Sequence, residues 1–237
     1  MRKFLVSFLC LGLIITGASA HDLLRDSSDP LFLQTQSKIL SQTGLSYFEN
    51  GLRLGQALSV GVNNRLALGG NIHYQQNFDN NQDGFSSFDL GGIYRLVTQA
   101  ESTHRFIYDV VFGFKFGGSH RVRTPDYADS TYYAGLRFGR QYDAVTLAAT
   151  LKSSWIFDNY RGMAFIDFNP EAYFRIAPEW RIGVNAGFRK ATTPAYDEEN
   201  LGFKLVREYG HTQYVGFFNY EFEKEEIAFG ARVNILF

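Results

Sequence analysis

Residues 226–237 read EIAFGARVNILF, and the side chains sort into two sets at every second position. Ile227, Phe229, Ala231, Val233, Ile235 and Phe237 make one set; Ala228, Gly230, Arg232 and Asn234 make the other. Successive side chains of an extended strand point to opposite faces, so one face of this stretch suits lipid and the other suits water. A helix would scatter both sets around its circumference.

The same division recurs upstream. In residues 105–116, Phe106, Tyr108, Val110, Phe112, Phe114 and Phe116 oppose Arg105, Asp109, Gly113 and Lys115; in 180–189, Trp180, Ile182, Val184, Ala186 and Phe188 oppose Arg181, Gly183, Asn185, Gly187 and Arg189. Less complete versions cover 51–62, 65–78, 85–97, 131–140, 145–157, 164–176 and 212–222, and two weak ones cover 37–49 and 201–208. Each is near the ~10 residues of a tilted membrane-spanning strand. The spacing therefore predicts an all-β, antiparallel up-and-down transmembrane barrel of twelve strands, with ten or eight as the alternatives if the weak stretches fail. Inside hydrocarbon an open sheet edge would leave backbone groups unpaired at several kcal/mol each, so the sheet must close.

The breaks between stretches alternate in length. Short breaks at 62–64, 98–102, 141–143, 177–179 and 209–211 alternate with connections at 49–51, 79–84, 118–129, 158–162, 192–200 and 223–225, which include every long polar loop. Outer-membrane barrels have short periplasmic turns and longer external loops. Aromatic residues near strand ends, among them Tyr94, Phe116, Tyr132, Phe157, Phe174, Trp180 and Tyr220, suit two interfacial girdles. Their alternative is the core of a soluble β-sandwich.

The N-terminus reads as an export signal. Arg2 and Lys3 precede an apolar run over 4–16, and Ala18-Ser19-Ala20 fits a small-x-small cleavage site. Residues 1–20 are thus expected to be a cleaved signal peptide, 21–36 a polar lead-in segment and 37–237 the barrel. The apolar run is shorter than the ~20 residues a spanning helix needs. Cys10, the sole cysteine, lies inside it, and Phe8 and Leu9 before it do not make a lipoprotein cleavage box. A mature chain without thiols gains nothing from disulfides. Charged residues are 20% and aromatic residues 16% of the chain, and the formal charge of −1 falls by two with the loss of Arg2 and Lys3. That balance argues against nucleic acid as a partner.

These features resemble the outer-membrane β-barrel superfamily: a cleavable signal, alternating strands, and a last strand ending in Phe237 with Phe229, Ala231, Val233 and Ile235 on its face. The resemblance implies outer-membrane lipid and lipopolysaccharide as surroundings, and Phe237 as part of the C-terminal signal read by the barrel assembly machinery. Length and strand count are similar to small twelve-stranded monomeric porins for acidic oligosaccharides.

On these registers the lumen face carries Arg53, Arg95, Arg105, Lys115, Arg137, Lys152, Arg175, Arg181, Arg189, Lys204 and Arg232 against Asp89, Asp109, Asp167, Glu171, Glu208 and Glu221. A low-dielectric wall focuses such a basic excess, which favours passage of small anionic solutes through a water-filled channel. The same charges paired across strands would instead plug the lumen. Twelve strands lie between the ~8 that side chains fill and the roughly 16 that leave an open channel, so both readings stand.

No cofactor or catalytic residue is expected. Asp79, Asn81 and Asp83 match the first half of a calcium loop, but Leu90 stands where the closing Glu belongs, so a polar hairpin loop explains them better. His120 with Asp126 and Asp129 is the one candidate for a rim enzyme, and it lacks a nucleophile motif. His120, Arg121 and Arg123 suit lipopolysaccharide phosphates equally. A non-conducting barrel that binds through its external loops is the second reading.

Overall fold

The structure, a computed structural model, describes residues 26–48, 51–78, 83–118, 130–157 and 162–237. Twelve strands follow in order: β1 (Ile39–Phe48), β2 (Gly51–Gly61), β3 (Leu66–Asn77), β4 (Gly84–Val97), β5 (Ile107–Phe116), β6 (Thr131–Gln141), β7 (Val145–Ile156), β8 (Ala164–Ala177), β9 (Trp180–Ala191), β10 (Glu198–Tyr209), β11 (Thr212–Glu221) and β12 (Glu226–Leu236). Each pairs antiparallel with its neighbours in sequence, and β1 pairs with β12 from Leu40↔Leu236 to Tyr47↔Phe229, which closes the sheet. The expected twelve-stranded barrel is the one observed.

Closure leaves the apolar set on the outside. Leu54, Leu58, Leu136, Phe203 and Phe218 are exposed, while residues of opposite parity such as Asp109, Asp167, Arg181 and Asn234 are buried. The barrel is an inside-out protein, as lipid-facing strands demand.

Two ends differ. One, the terminal end, holds the start of β1 and the end of β12; its turns are short except the β4–β5 connection, which runs over 98–106 instead of the expected 98–102 because β5 begins only at Ile107. The β2–β3 turn is an Asx turn in which Asn63 Oδ1 accepts the N–H groups of Arg65 (2.7 Å) and Leu66 (2.9 Å). Gly210, with φ of 59°, forms the β10–β11 turn. The opposite, loop end carries an outer aromatic belt over β4–β7, where Tyr132 stacks on Trp155 with centroids 5.1 Å apart and Phe114 meets Phe157 at 5.2 Å. Its inner rim is capped on one side by Ile156, Met163 and Phe165 against Ala191 and Tyr196.

β1 and β10 read weakly in the sequence for physical reasons. On β1, Ser41 and Thr43 point outward, and their hydroxyls bond the outward Gln56 amide of β2. On β10 the pattern inverts near the terminal end: Val206 faces inward, fully buried with Tyr173 and Val215, and Arg207 faces outward with its guanidinium 5.4 Å from the Trp180 ring centroid.

Candidate functional site: the lumen and its inserted segment

Residues 26–36 of the lead-in segment lie inside the barrel, across the terminal end. Ser37, in the left-handed region with φ of 64°, turns the chain from this segment into β1. The Ser37 N–H then bonds the Gly61 carbonyl at 2.8 Å, and Lys38 N–H bonds the Thr35 carbonyl at 3.1 Å. A Cβ on Gly61 would collide with the Thr35 carbonyl, so the wall is bare where the segment crosses it.

From there the backbone is gripped by wall side chains. Gln34 Nε2 bonds Ser59 Oγ on β2. Arg137 Nη2 on β6 donates to the Phe32 carbonyl at 3.1 Å, Arg95 Nη2 on β4 to the Leu31 carbonyl at 2.6 Å, and Lys204 Nζ on β10 to the Ser28 carbonyl at 2.6 Å. Arg95 and Arg137 are oriented by Asp109 of β5, which is 0% exposed and accepts from Arg95 Nε and Arg137 Nε, each at 2.8 Å. Leu31 packs over Gly139, where a Cβ would lie 3.0 Å from its Cδ1. Buried polar groups must be paired, and here wall and segment pair each other.

The segment brings two carboxylates inside. Asp29 Oδ2 accepts from Thr146 Oγ1 at 2.6 Å, and its Oδ1 accepts the Leu31 N–H at 2.7 Å. Burial pushes the Asp29 carboxyl above the usual carboxylate range, against these bonds. Asp26 Oδ1 accepts from Tyr173 OH (3.0 Å) and Gln213 Nε2 (2.8 Å), and Oδ2 faces Arg181 Nε at 3.4 Å. Arg181, 1% exposed, also meets Glu208 at 3.3 Å and caps the carbonyls of Ala177, Pro178 and Trp180 at the β8–β9 turn. Ser27 and Ser28 complete the layer through Gln213 and Asn234.

The register places Arg53, Arg95, Asp109, Lys115, Arg137, Lys152, Arg175, Arg181, Arg189 and Arg232 on the inward face, with Lys204. Arg105 is the exception: it sits exposed in the turn before β5, with φ of 58° and its N–H on the Ser102 carbonyl, so it does not line the lumen. Its alternation with Phe106 looked strand-like, but β5 begins only at Ile107. Two acids that the sequence reading passed over, Glu198 and Glu226, also face inward, across from Arg189 and Glu221. Acidic wall residues are then Asp89, Asp109, Asp167, Glu171, Glu198, Glu208, Glu221 and Glu226. The basic wall residues exceed them by two, and Asp26 and Asp29 make up that difference.

Pairing is extensive towards the loop end. Asp167 accepts from Arg189 Nε at 2.6 Å and faces Lys152 at 3.4 Å; Arg189 also reaches Glu198 at 3.1 Å, which Lys224 meets at 3.1 Å. Between the segment and β1–β6 a cavity of about 370 Å³ remains, lined mostly by small or neutral side chains such as Ala57, Ser59, Ala67 and Asn71, with Asp29, Asp89 and Arg137 also on its wall. Tyr133 lies flat on this wall, with its hydroxyl donating to Asp89 at 3.2 Å, because Gly91 and Gly113 leave it room.

Phe237 faces outward at the closing seam, exchanging backbone hydrogen bonds with Ile39 at 2.8 and 3.2 Å. Residues 1–25, Asp79, Asn81 and the loop with His120, Arg121, Arg123, Asp126 and Asp129 lie outside the described residues. Asp83 accepts from Tyr74 OH at 3.3 Å. Among the described residues no group of three or more His, Cys, Asp or Glu side chains is placed to hold a metal ion.

No protein-family model matches the sequence, and no curated protein matches it. Solved structures do match. A KdgM porin in complex with disordered oligogalacturonate superposes with a TM-score of 0.63 at 12% identity, covering 83% of this chain and 98% of that one. The NanC porin gives 0.63 at 8% identity, over 82% and 98% of the two chains. The COG4313 outer membrane channel from Pseudomonas putida F1 gives 0.61 at 9% identity, over 92% and 100%. At such identities the likeness is one of architecture: this chain has the closed-barrel fold of the small outer-membrane porins.

Proposed function

We propose that the protein is a small outer-membrane channel for polar solutes that prefers anions, with its periplasmic mouth occupied by residues 26–36. In this reading the terminal end faces the periplasm, and the exposed apolar belt contacts lipid. Phe237 belongs to the signal read by the barrel assembly machinery, and the external loops face lipopolysaccharide.

The observation that carries the reading is the charge of the inner wall. Its basic side chains exceed its acidic ones by two when the inserted carboxylates are set aside, and a low-dielectric barrel focuses that surplus along the lumen. The fold shared with porins supports passage; the wall supports the sign of the preferred ion. No catalytic residue is assigned.

Planar-bilayer recording of the purified protein in a salt gradient tests it. Small discrete conductance steps with an anion-selective reversal potential are expected, growing when the segment is displaced by Gly61→Val. Silence from both proteins would overturn the channel reading. It would favour the non-conducting barrel, for which the many segment–wall hydrogen bonds speak.

A further inference from the structure

The geometry points to a carboxylate-binding site in the lumen wall, occupied here by Asp26 as an internal ligand and open to the carboxylate of a solute when residues 26–36 withdraw. This rests on the channel reading above and names the ligand class and the device that regulates it.

Three of the groups around the Asp26 carboxylate belong to the wall and stay when the segment leaves: Tyr173 OH on β8, Arg181 Nε on β9 and Gln213 Nε2 on β11. They come from three strands and converge on one carboxylate. Two hydrogen-bond donors meet one of its oxygens and a guanidinium faces the other, which is the arrangement that suits a carboxylate ligand. Val206 and Val215 pack with Tyr173 and give the site an apolar floor, so water competes weakly there. All three wall groups are almost fully buried.

A second observation sets this apart from mere anchoring of a chain end. The wall near the seat is more basic than Asp26 can neutralise. Arg232 of β12 lies within electrostatic reach of Glu171 and Tyr173, and Arg175 of β8 within reach of Glu208. Among the described residues neither guanidinium makes a hydrogen bond or ion pair. Lys204 pairs with Glu171, and Arg181 with Glu208. With the segment in place these four cations face Asp26, Asp29, Glu171 and Glu208; with the segment withdrawn they face Glu171 and Glu208 alone. An arriving carboxylate therefore meets both a shaped set of donors and a deeper positive field, and competes with Asp26 for the same atoms. Solute binding and segment withdrawal are then linked: whatever occupies the seat favours the open state.

The full chain carrying Ser28→Cys and Asn234→Cys tests this, because these side chains are hydrogen-bonded neighbours at 3.1 Å and a disulfide would pin the segment. Oxidised, the channel should conduct at background level and ignore millimolar succinate. Reduced, it should open, and succinate should raise the open probability several-fold where neutral acetamide does not. Tyr173→Phe, which keeps the ring but loses the donor, should weaken that response several-fold. If the reduced protein conducts yet succinate and acetamide act alike, the carboxylate site is refuted and the channel reading stands.

If neither form conducts, the channel reading fails and binding alone decides the site. Succinate should then raise the thermal midpoint of the Asp26→Asn protein and leave the parent unchanged. No rise, or an equal rise in both, overturns the assignment.

Discussion

The carbonyl oxygen of Thr35 occupies the place a Cβ on Gly61 would take. Any side chain at position 61 must push the inserted segment off the wall at the point where it enters the lumen. Gly61→Val should raise single-channel conductance several-fold and expose residues 26–36 to protease while the barrel still migrates as a folded species. Unchanged conductance with an intact N-terminal segment would show that the segment does not gate the lumen.

Acidification should close the channel. Asp29 lies above its ordinary value of 3.8 when the segment is seated, because burial opposes its charge. Asp26 and Arg137 are the charged groups that face it, with Thr146 and Gln141. Seating therefore takes up a proton between the raised value and 3.8. Above that window the burial cost of the charged form is fully present; it is relieved as pH falls through the raised value, so the seated state gains. Open probability should drop across this range, and Asp29→Asn should flatten the profile. An identical profile in Asp29→Asn would assign the effect elsewhere.

Asp167 holds Arg189 and Lys152 on adjacent strands. Removing its charge leaves Arg189 with Glu198 and leaves Lys152 without its described ion-pair partner. Asp167→Asn should shift the reversal potential further toward anions and lower unfolding stability by about 1–3 kcal/mol, the usual cost of losing charge-assisted bonds at a buried site. A shift toward cations would contradict the role given to the wall charges.

Ser41, Thr43 and Gln56 satisfy one another on the lipid-facing surface. Replacing all three with Val, Val and Leu removes donors and acceptors together, which in an apolar medium is neutral or stabilising. Gln56→Leu alone removes the partner and leaves two hydroxyls in lipid. The triple variant should therefore resist denaturant at least as well as the parent, and Gln56→Leu less well. The reverse order would mean that this surface is covered by something other than lipid.

The barrel was legible because lipid outside and water inside write a two-residue rhythm into nearly every strand, most plainly in β12, β5 and β9. The rhythm failed where that contrast fails. Ser41 and Thr43 face outward but are satisfied by Gln56, and Val206 faces inward because the inserted segment makes the terminal end of the lumen dry. Arg105 continues the alternation by parity, yet a left-handed turn removes it from β5. The Asp26 seat was invisible for a different reason. Tyr173, Arg181 and Gln213 stand on three strands and meet only through closure, and no local pattern marks residues 26–36 as a lumen element. A sequence signal did exist: three acids against the single Arg25, with two serines, in the lead-in 21–36, complementary to the basic surplus of the wall.

Asp26 and Asp29 give the inserted segment two formal negative charges, and the segment lies within the pore across which an applied voltage drops. Each charge carried through the full drop is worth about 2.3 kcal/mol per 100 mV. A potential positive on the side of the terminal end draws the segment outward, and the opposite polarity drives it home. On the channel reading proposed above, the barrel should therefore rectify, with a current–voltage curve bent by its own tail.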